Sequence, residues 1–233
     1  MERKTIDFVS LGPGGADYLT RQTIRILLTA DKIYCFSVKG VSHAADTICE
    51  TGIDSDKIAK IDIPMSNDRN AVKAIYRQTA DIIEKEWKQG LSIAVATEGD
   101  TGIYATTHYV MDFLSTRGVQ LRQTPGIPSF IAAASIARLH LVKLKERLLV
   151  VPGHITAEEI EQFVENGTNI VIMKLSMSAD SVHECIQKHP EYSYHYFENI
   201  GINGKDAEKH LTDINELMRM SFPYFSLMTI QKE

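Results

Sequence analysis

Two hydrophobic periods alternate along this chain from end to end. Residues 6–11 form a short β-rich apolar run that stops at Gly12-Pro13-Gly14-Gly15, and Leu19, Ile24, Leu27 and Leu28 then recur at helical spacing behind Thr20, a natural N-cap. Residues 32–36 (KIYCF) and 57–63 (KIAKIDI, closed by Pro64) read as further strands. Between 72 and 87, Val72, Ile75, Tyr76, Thr79, Ile82, Ile83 and Trp87 repeat at i, i+3, i+4 and i+7 among charged residues, which predicts an amphipathic helix. Residues 91–96 (LSIAVA) are almost continuously apolar, as a strand buried on both faces of a parallel sheet must be. They run into the polar loop TEGDTG, a helix is expected over 104–114, and a short strand over 119–121.

The sequence TPGIPS then breaks the pattern before the small-residue helix FIAAASIA. Beyond it, strands are expected at 147–151, 169–173, 193–197 and within 223–230, with helices from Thr156, over 179–189 and over 207–218. Tyr192, Tyr194 and Tyr196 alternate at strand period and would share one packed core face. Strands alternating with helices predict an α/β fold. The break at 123–127 divides it into two α/β domains, 1–123 and 124–233, and a cleft between them is the default ligand site.

Composition narrows the functional classes. The 233 residues are 44% hydrophobic and 24% charged, which excludes disordered and collagen-like chains. A net charge of −5 advertises no affinity for nucleic acid or an anionic membrane. Three widely spaced cysteines (35, 49 and 185) form neither a CxxC clamp nor an even disulfide set, so a reducing cytoplasm is expected. No run approaches the roughly 18 apolar residues of a membrane span, so no membrane association is expected.

Three loops could carry chemistry. Glycines 12, 14 and 15, where a strand gives way to a helix, allow close backbone approach to a ligand, although a structural turn explains them equally. GxGxxG and GxxxxGK[ST] are both absent, which argues against a dinucleotide fingerprint and a P-loop. Glu98-Gly99-Asp100 follows the apolar strand where ligands of α/β sheets sit, although an acidic turn also serves as a solvated loop or N-cap. Pro125-Gly126-Ile127-Pro128-Ser129 opens the small-residue helix. The eight histidines show no HxxxH or HExxH spacing and GxSxG is missing, so neither a metal site nor a hydrolase elbow is expected.

In this order, VSLGPGGADYLT, TEGDTGIYAT and TPGIPSFIAAAS resemble the successive motifs of the tetrapyrrole (corrin and porphyrin) methylase family. ERLLVVPG, IVIMKLS and the terminal PYFSL are similar to the branch acting at C20 of precorrin-2 or cobalt-factor II in cobalamin synthesis. The resemblance covers essentially the whole chain. It implies a class III methyltransferase fold that binds S-adenosylmethionine, a tetrapyrrole substrate and a homodimer. Carried over residue by residue, it assigns Pro13, Glu98, Gly99, Asp100, Ile103, Pro128, Ser129, Met173, Lys174, Asn199 and Ile200 to the cofactor, many through backbone groups.

Methyl transfer from a sulfonium needs alignment and exclusion of water more than an acid/base pair, so no catalytic base is assigned. Substrate carboxylates call for a local basic group, and Arg138, Lys143, Lys145 and Arg147 follow the third motif directly. Arg69, Lys73 and Arg77 read instead as the solvated face of their helix. Two departures stand out: Gly15 where the family commonly has Asp, which Asp17 cannot be assumed to replace, and Thr101 where it has Pro, which is expected to loosen that loop. Another corrinoid position, an rRNA ribose and a catalytically silent binding module remain as alternatives. The RNA reading requires a basic stripe that the composition does not show.

Overall fold

The computed structural model describes residues 5–64, 68–202 and 208–232. The chain divides into two compact units, Met1–Pro128 and Ser129–Glu233. The division falls a few residues after the 123/124 boundary read from the sequence. Thr124 still donates its N–H to Phe8 O, and Gly126 packs on Ser10, so the TPGIP segment belongs to the first unit.

In the first unit the strands are β1 (Ile6–Ser10), β2 (Lys32–Ser37), β3 (Ile58–Asp62), β4 (Ile93–Thr97) and β5 (Leu121–Gln123), all parallel, in the order β3-β2-β4-β1-β5. Helices α1 (Arg21–Thr29), α2 (His43–Glu50), α3 (Arg69–Lys88) and α4 (His108–Ser115) connect them. β1 and β4 are buried at every position, which is why they read as unbroken apolar runs. Strand alternation sends Val9, Ile33, Cys35, Ala94 and Ala96 into a core with Leu27 and Ile48, and Ile6, Phe8, Tyr34, Ile93 and Val95 into another with Tyr76, Ile83 and Leu114. Thr20 caps α1 as expected, its hydroxyl accepting the Thr23 N–H. The sequence reading missed α2, whose eight residues bury two alanines, a threonine and one isoleucine and so give little periodic signal. The helix expected from 104 begins only at His108, because Tyr104 sits in the left-handed region at φ 51°.

The second unit comprises α5 (Ser129–Ile136), β6 (Arg147–Val151), α6 (Ala157–Glu165), β7 (Thr168–Met173), α7 (Ala179–Lys188), β8 (Ser193–Glu198), β9 (Lys209–Leu211), α8 (Ile214–Leu217) and β10 (Ser226–Gln231). Its sheet runs β6-β7-β10-β8-β9; β6 and β7 are parallel and every pairing of β10 and β9 is antiparallel. Tyr192, Tyr194 and Tyr196 do share a buried face, their hydroxyls donating to Glu165, His189 O and Glu198. Of the helix expected over 207–218, the described residues form only the last part, the single turn α8, and Ala207 lies outside them. Lys209–Leu211 pairs with β8 as an edge strand, and Asp213 then caps the single turn α8. Pairing across the sheet overrides a 3.6-residue pattern this short.

Candidate functional site

The loops leaving β4, β1 and β5 contain the three sequence motifs, and these strands are neighbours in the first sheet. The motifs therefore meet at the carboxyl edge of the sheet, where α/β folds bind ligands. Gly12 and Gly99 exchange backbone hydrogen bonds at 3.1 and 2.6 Å, joining the first loop to the second. Asp100 joins the second to the third: its Oδ1 accepts the Gly102 N–H at 2.8 Å and its Oδ2 the Gly126 N–H at 2.6 Å. Gly126 must be glycine, because a Cβ there would lie 2.3 Å from Ser10 Cβ and 2.6 Å from Gly99 O.

Beneath these loops lies a group of buried hydroxyls that the sequence reading did not single out. Ser10 donates to Thr124 O at 2.6 Å and accepts the Thr101 N–H at 2.9 Å, while the Thr101 hydroxyl donates to Thr124 O at 3.2 Å. Thr23 from α1 donates to Ser10 O at 3.0 Å, and the Ser10 N–H donates to the Thr124 hydroxyl at 3.2 Å. All four side chains are buried and hydrogen-bonded, a condition for a polar group to stabilise an interior. The sequence signal was confined to Ser10, a hydroxyl closing an apolar strand; Thr23 lies in a helix and Thr101 and Thr124 in loops, where nothing local marks them.

Around this knot stand the remaining residues assigned in the first unit. Pro13 and Pro128 are half-buried, and Ile103 is exposed, its N–H bonded to Asp100 O. Glu98 keeps an exposed surface, yet the protein around it pushes its carboxyl above the usual range, with His43 and the Ala44 N–H of α2 pulling the other way. Pro13, Gly14, Gly15 and Gly99 present backbone rather than bulky side chains, and the charged side chains of the second loop, Glu98 and Asp100, are carboxylates.

In the second unit, Ser129 begins α5. Met173 and Lys174 end β7, and Asn199 and Ile200 follow β8; β10 lies between these strands, and Asn199 donates its N–H to Phe225 O at 3.1 Å. Four assigned residues thus occupy one edge of the second sheet. Lys174 and Asn199 both turn the chain with φ near +53°.

A sequence profile of the tetrapyrrole (corrin/porphyrin) methylases matches residues 5–215. The chain belongs to this family. A probable cobalt-precorrin-2 C(20)-methyltransferase of Methanocaldococcus jannaschii is 30% identical over 73% of this chain and 72% of that protein. The cobalt-precorrin-2 C(20)-methyltransferase of Salmonella typhimurium is 23% identical over 97% and 95%. Among solved structures, a cobalt precorrin-4 methyltransferase superposes with TM-score 0.75 at 14% identity, covering 97% of this chain and 94% of that one. A uroporphyrin-III C-methyltransferase from Thermus thermophilus complexed with S-adenosyl homocysteine gives TM-score 0.63 at 14% identity, over 97% of both chains. These likenesses show the fold.

Both departures from the methylase pattern have local reasons. Gly15 has φ 71° and ψ 148°, a conformation essentially restricted to glycine, so an aspartate there would strain the turn. A carboxylate reaches the loop from elsewhere, since Glu50 of α2 accepts the Ala16 N–H at 3.0 Å. Thr101 does not loosen its loop: its N–H, which proline lacks, and its hydroxyl tie that loop to β1 and to the loop after β5.

Arg138, Lys143, Lys145 and Arg147 are all exposed. They are not brought to the edge holding Met173, Lys174 and Asn199. Arg147 opens β6 and pairs with Thr168 at the start of β7, about 16 Å along that strand from Met173. Arg138 lies beyond the end of α5 farthest from Ser129. Among the described residues no group of three or more His, Cys, Asp or Glu side chains could hold a metal ion, and no helix is long and apolar enough to cross a membrane.

Proposed function

We propose that this methylase is an S-adenosylmethionine-dependent C-methyltransferase acting at C20 of precorrin-2 or cobalt-factor II in cobalamin biosynthesis. The observation that carries the reading is the joining of the three family loops, through Gly12, Gly99, Asp100 and Gly126, at the carboxyl edge of one sheet. When bound, S-adenosylmethionine supplies an already activated methyl group. Pro13, Glu98, Gly99, Ile103, Pro128 and Ser129, with Met173, Lys174, Asn199 and Ile200, are its assigned contacts, largely through backbone groups. Asp100 acts on the cofactor by holding two loops in place. A held loop contributes alignment and water exclusion, which is most of what an in-line displacement asks of the protein. No side chain is assigned as a base. The departures at Gly15 and Thr101, which favoured a catalytically silent module, are each explained by a backbone conformation or a hydrogen bond.

The three cysteines are free, in keeping with a cytoplasmic enzyme, and the family reading makes it a homodimer, which sedimentation would check. The test of activity is anaerobic incubation with S-adenosylmethionine and either metal-free precorrin-2 or cobalt-factor II, followed by mass spectrometry and NMR. One added methyl at C20 in either reaction establishes the function. A methyl at another carbon, or none in both, overturns it.

A further inference from the structure

Tyr224 and Phe225 belong to the PYFSL segment, and the cofactor assignment leaves them unused. They immediately precede β10, with Pro223 O accepting the Ser226 hydroxyl, and so lie at the sheet edge where β7 ends in Met173-Lys174 and β8 in Asn199. The two rings meet edge-to-face with centroids 5.4 Å apart, yet Tyr224 stays 47% and Phe225 51% exposed. Adjacent exposed aromatics at the head of a buried strand are an unusual use of apolar surface. A cation stands beside them: Lys174 Nζ lies 5.7 Å from the centre of the Tyr224 ring. Lys174 has φ 53°, so its backbone turns away from β7 while its side chain reaches over the Tyr224 ring, and these two parts can serve different ligands.

We propose that Tyr224, Phe225 and the Lys174 ammonium form the docking edge for the tetrapyrrole, the rings covering apolar macrocycle and the ammonium meeting a peripheral carboxylate. The assignment rests on the proposed function and adds where the acceptor is held. Flat apolar area edged with carboxylates is the chemistry that paired aromatic rings beside one lysine complement. Lys174 Nζ is near enough to Tyr224 to be held over the ring, and among the described residues no carboxylate is paired with it, so its charge is open to a ligand carboxylate. Phe225 adds to this through its backbone, because its carbonyl fixes Asn199, so ring and turn are positioned together.

The experiment is a pair of equilibrium titrations on the full chain, one with S-adenosylmethionine by calorimetry and one with precorrin-2 or cobalt-factor II by absorbance under anaerobic conditions. Tyr224→Ala and Phe225→Ala should each weaken tetrapyrrole binding about tenfold, with S-adenosylmethionine affinity within about twofold of the parent. Tyr224→Phe keeps the ring and should bind nearly as well as the parent. Lys174→Met, which keeps the stem and removes the charge, should weaken the tetrapyrrole and abolish the salt dependence of that step. Unchanged tetrapyrrole affinity in both alanine variants overturns the proposal. So does a shift in sedimentation with affinity unchanged, since that outcome assigns the patch to a second copy of the chain. A parent protein that binds the tetrapyrrole but methylates another carbon defeats the C20 reading and leaves the docking edge standing.

Discussion

The carboxylate of Asp100 accepts the backbone N–H of Gly126 at 2.6 Å, although the two residues leave different strands of the first sheet. Its other oxygen takes the Gly102 N–H, so one side chain holds the second motif in shape and clasps the third to it. Asp100→Ala leaves two amides without their acceptor. It should lower unfolding stability by about 1–2 kcal/mol and weaken S-adenosylmethionine binding as well. Asp100→Asn keeps only one good acceptor and should fall between. Chemical denaturation alongside calorimetry checks both effects, and unchanged affinity in the alanine variant would remove Asp100 from any role at the site.

Thr101 and Ser10 are coupled. Introducing the family's proline as Thr101→Pro deletes the N–H that Ser10 Oγ accepts, and should destabilise by about 1–3 kcal/mol. In a Ser10→Ala background that hydrogen bond is already gone, so the same proline should be less harmful by about 1 kcal/mol. A double-mutant cycle from urea melts measures the difference. Additive effects would show that the two residues act independently.

Glu86 links acid to stability. Burial raises its pKa, but the Lys32 ammonium and the Tyr34 hydroxyl, which both donate to its carboxylate, lower it further than burial raises it, and the net shift is downward. A carboxyl depressed in the folded state contributes stability that is present above its unfolded pKa, about 4.3, and is lost as pH falls through the folded value. Glu86→Gln should therefore destabilise at neutral pH and converge on the parent in acid. Melts at pH 7 and pH 3 test this, and an equal loss at both would assign the effect to packing.

The two groups of cations on the second unit should separate in kinetics. Lys174 stands at the edge with Asn199 and Tyr224, whereas Arg147 opens β6 at the opposite end. Lys174→Met should raise the KM for the tetrapyrrole several-fold, and Arg147→Ala or Lys145→Ala should leave it near the parent value. The reverse pattern would restore residues 138–147 as the substrate's carboxylate partners.

Much of this architecture can be read directly from the amino-acid order. Continuous burial writes β1 and β4 as unbroken apolar runs, the stripe from Val72 to Trp87 writes α3, and Thr20 marks the start of α1, because each pattern depends on neighbours within a turn or a strand. The three motifs and their order gave the family in the same way. Tertiary structure alone decided that residues 209–211 pair as an edge strand, that β10 enters between β7 and β8, and that α2 forms over two alanines. It also decided that Asp100 reaches Gly126, that Ser10 serves Thr101, and that Tyr224 and Phe225 stand beside Lys174. Those contacts join residues tens of positions apart, set by strand order and register, and a local period carries no information about which distant backbone a side chain will meet.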